Sequence, residues 1–237
     1  MLKRKPVLQA GQDLRDLPTY TIPEAAAFLG ISPRTMSYWY GDSPILDPSG
    51  RTGGTTLLSF KDVAEAYVLE LLRSFYGFRL RTLRRVIENF RTETQLGRPL
   101  LEADLYVVLG NLVLKKPAKG KQPVRMIDLA HERNLVFPEL VEMIGKRILL
   151  DRKRTPYRLY PWRLASPQDQ SMPVSMEPDV MSGRLVMTGT RVPVTILAGM
   201  KAHGKSIEEI TRSYHLEAGA VEKALLHIER PLQKKAA

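Results

Sequence analysis

The sequence predicts an α+β fold, mainly α: two short helices and a β-hairpin open an N-terminal domain, a mixed middle region holds a second β-hairpin, and a C-terminal three-helix module follows. Three observations predict it. Short apolar segments toward both ends start at Ser or Thr and stop at Gly, the punctuation of helices. Runs rich in branched or hydroxylated residues are split by glycine, the mark of hairpins. The proline-interrupted polar run SPQDQSMPVSMEP sets the last part of the chain off from the rest. On this reading residues 1–18 are a flexible tail, 19–95 an N-terminal domain, 96–165 a basic mixed α/β region, 166–177 a linker and 178–230 a small helical domain.

Each element has its own signal. The tail is polar, basic and broken by Gly11 and Pro18. Thr21 with Glu24 three residues on can satisfy two orphan amides at a helix start, so a helix is expected from there to Leu29. Gly30 ends it. Ser32 and Pro33 then supply an N-cap and a proline in the first turn, opening a second helix to about Tyr40 and Gly41. The run ILDPSGRTGGTTLLSF reads as a hairpin wing with Arg51 at its tip. Ser59 and Asp62 cap a third helix, in which Val63, Ala66, Tyr67 and Leu69 recur at helical spacing. Beyond Gly77 a fourth helix over 80–90 carries arginines between Leu83, Val86, Ile87 and Phe90.

The middle region is marked by LYVVLGNLVLK, two strands expected to turn around Gly110 and Asn111, and by ILLDRKRTPYRLYPWR, a second, basic hairpin. KPAKGKQP between them has the composition of an exposed loop. In the C-terminal module LVMTGTRVPV predicts a strand and turn, followed by a helix over 194–203 that Gly204 stops. Ser206 with Glu209 caps a helix to about Tyr214, and a last helix over 217–229 ends before Pro231.

Composition narrows the function. With 43% apolar and 26% charged residues most of the 237-residue chain should fold. The absence of cysteine excludes disulfides and thiolate zinc sites and fits the cytoplasm. No apolar run reaches the roughly 18 residues of a membrane span, and the start MLKRKPVLQAGQD has basic residues with no apolar segment behind them, so neither a span nor a secretion signal is expected. A net charge of +11 favours a polyanionic partner, because binding one releases its condensed counterions. Residues 96–165 carry most of the excess, with 14 Lys and Arg against 7 Asp and Glu.

The segment SPRTMSYWY suits a helix that lies in the major groove of duplex DNA. Met36 and Trp39 are spaced to face the core, leaving Arg34, Thr35, Ser37 and Tyr38 outward. Arg34 is placed to bond guanine, Thr35 to meet a thymine methyl or a base edge, and Ser37 and Tyr38 to bond phosphates. Arg51 and the arginines Arg79, Arg81, Arg84 and Arg85 would grip flanking backbone, or the last four form a solvated face.

YTIPEAAAFLGISPRTMSYWY, the wing and LSFKDVAEAYVLELLRSFYGFRLRTLRRVIENF together resemble the winged helix-turn-helix DNA-binding domain of the MerR superfamily over residues 20–90. The resemblance places Arg34, Thr35 and Tyr38 on the recognition helix and Met36 and Trp39 beneath it. Ser37 stands where an arginine that clamps phosphate is usual, and Gly97 and Pro99 interrupt the long dimer helix of typical members. Residues 177–230 resemble a small helical family of unknown function found in antitoxins beside PIN-like toxin genes, through Gly183, the triplet Gly189, Thr190 and Arg191, Pro193, Gly204, Ser206 and Tyr214. Both together resemble VapB-type antitoxins that carry both modules.

Thr190 and Arg191 either fix a turn by hydrogen bonds or meet a partner, and Ile207 and Ile210 either fill the core or bury against one. The histidines His131, His203, His215 and His227 lack the spacing of a helical metal pair, and no phosphate loop, nucleophile elbow or dinucleotide fingerprint occurs. No catalytic residue, metal or cofactor is therefore expected. The reading that unites these signals is a non-enzymatic antitoxin. It binds an inverted-repeat operator as a homodimer, represses its own transcription and neutralises a PIN-like ribonuclease toxin. The alternatives are a MerR-like regulator that answers a small molecule, or a scaffold that holds RNA or an acidic protein.

Overall fold

The computed structural model describes residues 12–74, 77–94, 97–102, 105–108, 111–116, 125–128, 146–153, 155–161 and 171–233. The fold is α+β, with small antiparallel sheets among the helices. The chain opens with β1 (Tyr20–Thr21), α1 (Ile22–Leu29), α2 (Pro33–Trp39), β2 (Gly50–Thr52) and β3 (Thr55–Leu58). Next come α3 (Phe60–Ser74), α4 (Leu80–Thr94), α5 (Pro99–Glu102), β4 (Leu105–Val108), β5 (Asn111–Lys116), β6 (Arg125–Asp128), β7 (Ile148–Leu150) and β8 (Pro156–Leu159). The C-terminal elements are β9 (Val174–Ser175), β10 (Val186–Met187), α6 (Val194–Ala202), α7 (Ile207–Tyr214) and α8 (Ala218–Gln233).

These elements fall into two compact units, one made of Met1–Val63 with Pro156–Ala237 and the other of Ala64–Thr155. The first unit joins segments that the sequence reading keeps apart as N-terminal domain and C-terminal module. Its helices begin where the caps predict. Thr21 and Glu24 form a reciprocal capping box on α1, Ser32 accepts from the Thr35 amide at the start of α2, and Ser206 and Glu209 form a second capping box on α7. Strand β3 lies between β1 and β2, with Tyr20 opposite Leu58 and Arg51 opposite Thr56. The wing tip is Gly53 and Gly54, both at positive φ where a side chain would be strained. Arg51 therefore stands within β2 and not at the tip.

Two stretches expected to be loose are built into this unit. Leu14–Asp16 form a 3-10 turn capped by Asp13, Leu17 is buried, the Thr19 amide donates to the Leu58 carbonyl at 2.9 Å, and Lys61 pairs with Asp16. The tail assignment thus does not describe 13–18, because one buried leucine and a strand-like amide bond seat the segment; residues 1–11 lie outside the described residues. Likewise β9 pairs with β10, and Met176 exchanges backbone hydrogen bonds of 3.0 and 2.8 Å with Leu159. Val174 and Met176 are fully buried, so the second half of the expected linker is core strand, its polar composition notwithstanding. Residues 162–170 lie outside the described residues. Helix α8 continues past Pro231 to Gln233, four residues beyond the expected end at 229.

In the second unit α4 runs to Thr94, and its apolar side Leu83, Val86 and Ile87 is buried. Strands β4, β5 and β6 form an antiparallel sheet in that order. Val108 pairs with Asn111, which places Asn111 inside β5 and not in the turn, and β6 adds a third strand that the hairpin signal did not foretell. Within this unit Glu65 is buried, receives the Leu100 amide at 3.3 Å and lies 3.6 Å from Arg98. Between β7 and β8 the Asp151 carboxylate accepts the Lys153 and Thr155 amides at 2.8 and 2.9 Å, which organises a tight turn. The KPAKGKQP loop from 117 on, and His131, lie outside the described residues. Among the described residues no helix is long and apolar enough to cross a membrane.

Candidate nucleic-acid interface

Helix α2 is seven residues long and is held at both ends by other parts of its unit. At its start the Ser32 hydroxyl caps the Thr35 amide at 3.1 Å and lies 2.8 Å from the Thr35 hydroxyl. At its end the Trp39 carbonyl accepts the Ile45 and Leu46 amides at 2.8 and 3.1 Å, and the buried Tyr40 donates its hydroxyl to the Asp62 carbonyl at 2.8 Å. The Asp62 carboxylate in turn accepts the Ser49 and Ser59 amides at 2.9 and 2.7 Å, tying the loop after α2 to the start of α3. A helix this short has little stability of its own, so these anchors fix where its outer face points.

That face follows the sequence reading. Met36 and Trp39 are 0% exposed beneath the helix, while Arg34 and Ser37 are exposed and Tyr38 is 58% exposed. Thr35 is half-buried, with its hydroxyl 2.8 Å from that of Ser32. Arg51 behaves differently from the expectation. Its Nη2 donates to the Tyr40 and Gly41 carbonyls at 3.1 and 3.2 Å, so its guanidinium closes the C-terminal end of α2, where cations are favoured by the exposed carbonyl dipoles.

Arg79, Arg81 and Arg85 are exposed and Arg84 is half-buried. All four belong to the second unit. The sequence reading put all four on the fourth helix; Arg81, Arg84 and Arg85 lie on α4, and Arg79 directly precedes it.

In the C-terminal part Gly189 has φ +76°, and Thr190 donates its hydroxyl to the Met187 carbonyl at 2.9 Å while accepting the Val192 amide at 3.0 Å. These two residues build the turn after β10. Arg191 is exposed, Ile207 half-buried and Ile210 fully buried. Sequence reasoning missed two distant contacts, one at each end of α1. The Tyr20 hydroxyl donates to the Gly183 carbonyl at 3.1 Å, and the His227 Nε2 lies 2.7 Å from the Phe28 carbonyl, so it carries the donated proton. Burial pushes the Tyr20 phenol well above its ordinary value and keeps it a donor. No local spacing signals either contact, since their partners stand 163 and 199 residues apart in the chain.

Residues 174–227 match the family described as "Protein of unknown function (DUF433)". No curated protein matches the chain. Among solved structures the crystal structure of Rv2018 from Mycobacterium tuberculosis is similar, at 21% identity with a TM-score of 0.55 over 88% of this chain and 98% of that one. At that identity the likeness concerns the fold alone.

Proposed function

We propose that the chain is the cytoplasmic antitoxin of a type II toxin-antitoxin pair, which binds an inverted-repeat operator as a homodimer and silences a PIN-like ribonuclease toxin without doing chemistry itself. The observation that carries the reading is the division of α2: Met36 and Trp39 are 0% exposed, whereas Arg34, Ser37 and Tyr38 stand outward from a helix anchored at both ends. A groove-reading helix needs such a rigid underside and hydrogen-bonding residues near its start. The net charge of +11 supports a phosphate partner, and the resemblance of 20–90 to the MerR superfamily head supports the same role for Arg34, Thr35 and Tyr38.

For the toxin-binding half, support comes from the resemblance of 177–230 to the antitoxin-associated helical family and from large apolar side chains exposed there. Ile196 on α6 and Leu226 on α8 are exposed apolar side chains available to a protein partner. The decisive experiment is binding to the chain's own promoter by wild type and Arg34→Ala. Loss of a bidentate base contact should cost about 1–3 kcal/mol and relax selectivity at one base pair. Unchanged affinity and selectivity would rule out α2 as the reading element. Coexpression with the neighbouring genes should yield a copurifying ribonuclease that is inactive until released.

A further inference from the structure

Helix α2 hangs from α1 through the short turn Gly30–Ile31–Ser32, and α1 is gripped at both ends by the segment 174–227. At the N-terminal end Tyr20, directly before the cap Thr21, donates to the Gly183 carbonyl. The fit there is close: a Cβ on Gly183 would lie 1.8 Å from the Tyr20 oxygen, and Gly183 sits at φ +76° after Met181 and Ser182, which are themselves at φ 49° and 57°. Two successive L-residues at positive φ, Met181 and Ser182, are costly and persist only when their surroundings hold them.

At the C-terminal end the Phe28 carbonyl is one of the helix-end acceptors that α1 cannot satisfy itself. His227, only 2% exposed on α8, satisfies it and lies 3.4 Å from where a Cβ would stand on Gly30. The rings of Tyr20 and Phe28 meet edge to face at 6.1 Å, linking the two grips through α1 itself.

We propose that the segment 174–227 has a second role as the brace of the DNA-reading helix, with Gly183 and His227 as positioning residues that set α1 and hence the face α2 presents to a duplex. The inference rests on the DNA-binding reading above. By linkage, duplex binding and closure of the brace favour each other, so a duplex strengthens contacts that it does not touch.

The test uses the full chain, with promoter duplex and a scrambled duplex as probes. His227→Leu removes the donor, and His227→Gln keeps an N–H at about the same reach. His227→Leu should lose roughly tenfold in the ratio of promoter to scrambled affinity, the scale of one orphaned buried carbonyl, and His227→Gln should recover most of it. Adding promoter duplex to wild type should also slow amide exchange in α8. Should His227→Leu fail to fold, Tyr20→Phe takes its place by deleting a single oxygen, with a several-fold loss expected. A folded variant with the wild-type ratio, together with unaltered exchange in α8, overturns the brace while leaving DNA binding intact. Wild type that does not prefer promoter over scrambled DNA overturns the DNA reading and the brace with it.

Discussion

Helices α1 and α7 each run eight residues, each open in a reciprocal capping box, and each end on a residue in the left-handed region, Gly30 at φ 64° and His215 at φ 53°. Their surroundings differ. Three residues of α1 are buried, and its two ends meet partners far along the chain, at Gly183 and His227. Only Ile210 is buried on α7, and its charges are satisfied within a turn, as in the Lys205 to Glu209 pair at 2.9 Å. The same local grammar therefore yields one helix tied to segments far along the chain and one packed chiefly against the helices next to it in sequence. Capping decides where a helix begins and ends; distant packing decides how firmly it is held and what its neighbours can do.

The largest effect that would break this contrast is removal of the distant partners. Deleting 174–237 should cost the N-terminal segment its cooperative unfolding, because the loss of the α8 packing and both end contacts of α1 rivals the whole stability of a domain, about 5–15 kcal/mol. Thermal melts followed by circular dichroism read the outcome, and a truncated chain that still melts sharply would mean α1 needs no brace. Gly183→Ala comes next. Its Cβ collides with the Tyr20 oxygen and its φ is unfavourable, so a loss of about 2–4 kcal/mol is expected, partly restored by combining it with Tyr20→Phe.

The contrast sharpens with the opposite change on α7. His215→Gly relieves a left-handed non-glycine residue at an exposed position and should stabilise by about 0.5–1 kcal/mol, read as a higher melting temperature. A lower one would assign the His215 ring a contact of its own.

The smallest expected effect is on acidification. The hydrogen bond from Lys205, aided by the Ser206 amide, holds the Glu209 carboxyl below its ordinary value, and the Gly219 and Ala220 amides do the same for Glu217. A carboxyl lowered in the folded state stabilises above its unfolded value and loses that contribution as pH falls through the folded one. The protection of amides in the first turns of α7 and α8, taken relative to the intrinsic exchange rate at each pH, should therefore fall below about pH 4. Acid leaves the Tyr20 to Gly183 bond at α1 in place, since a phenol keeps its proton throughout that range.

Much of this was legible in the linear order of residues. The caps at Thr21, Ser32, Ser59 and Ser206, the burial of Met36 and Trp39 and the exposure of Arg34 and Tyr38 all follow from periods and pairings that span four residues or fewer, where the backbone itself enforces geometry. Arg51 as a helix-end cap, Leu17 and Val174 as core, and the join of Gly183 and His227 to α1 were decided only in three dimensions. Contacts between residues more than a hundred positions apart leave no periodic trace in a sequence, because what selects them is the shape and unmet hydrogen bonding of surfaces that exist only once the chain has folded.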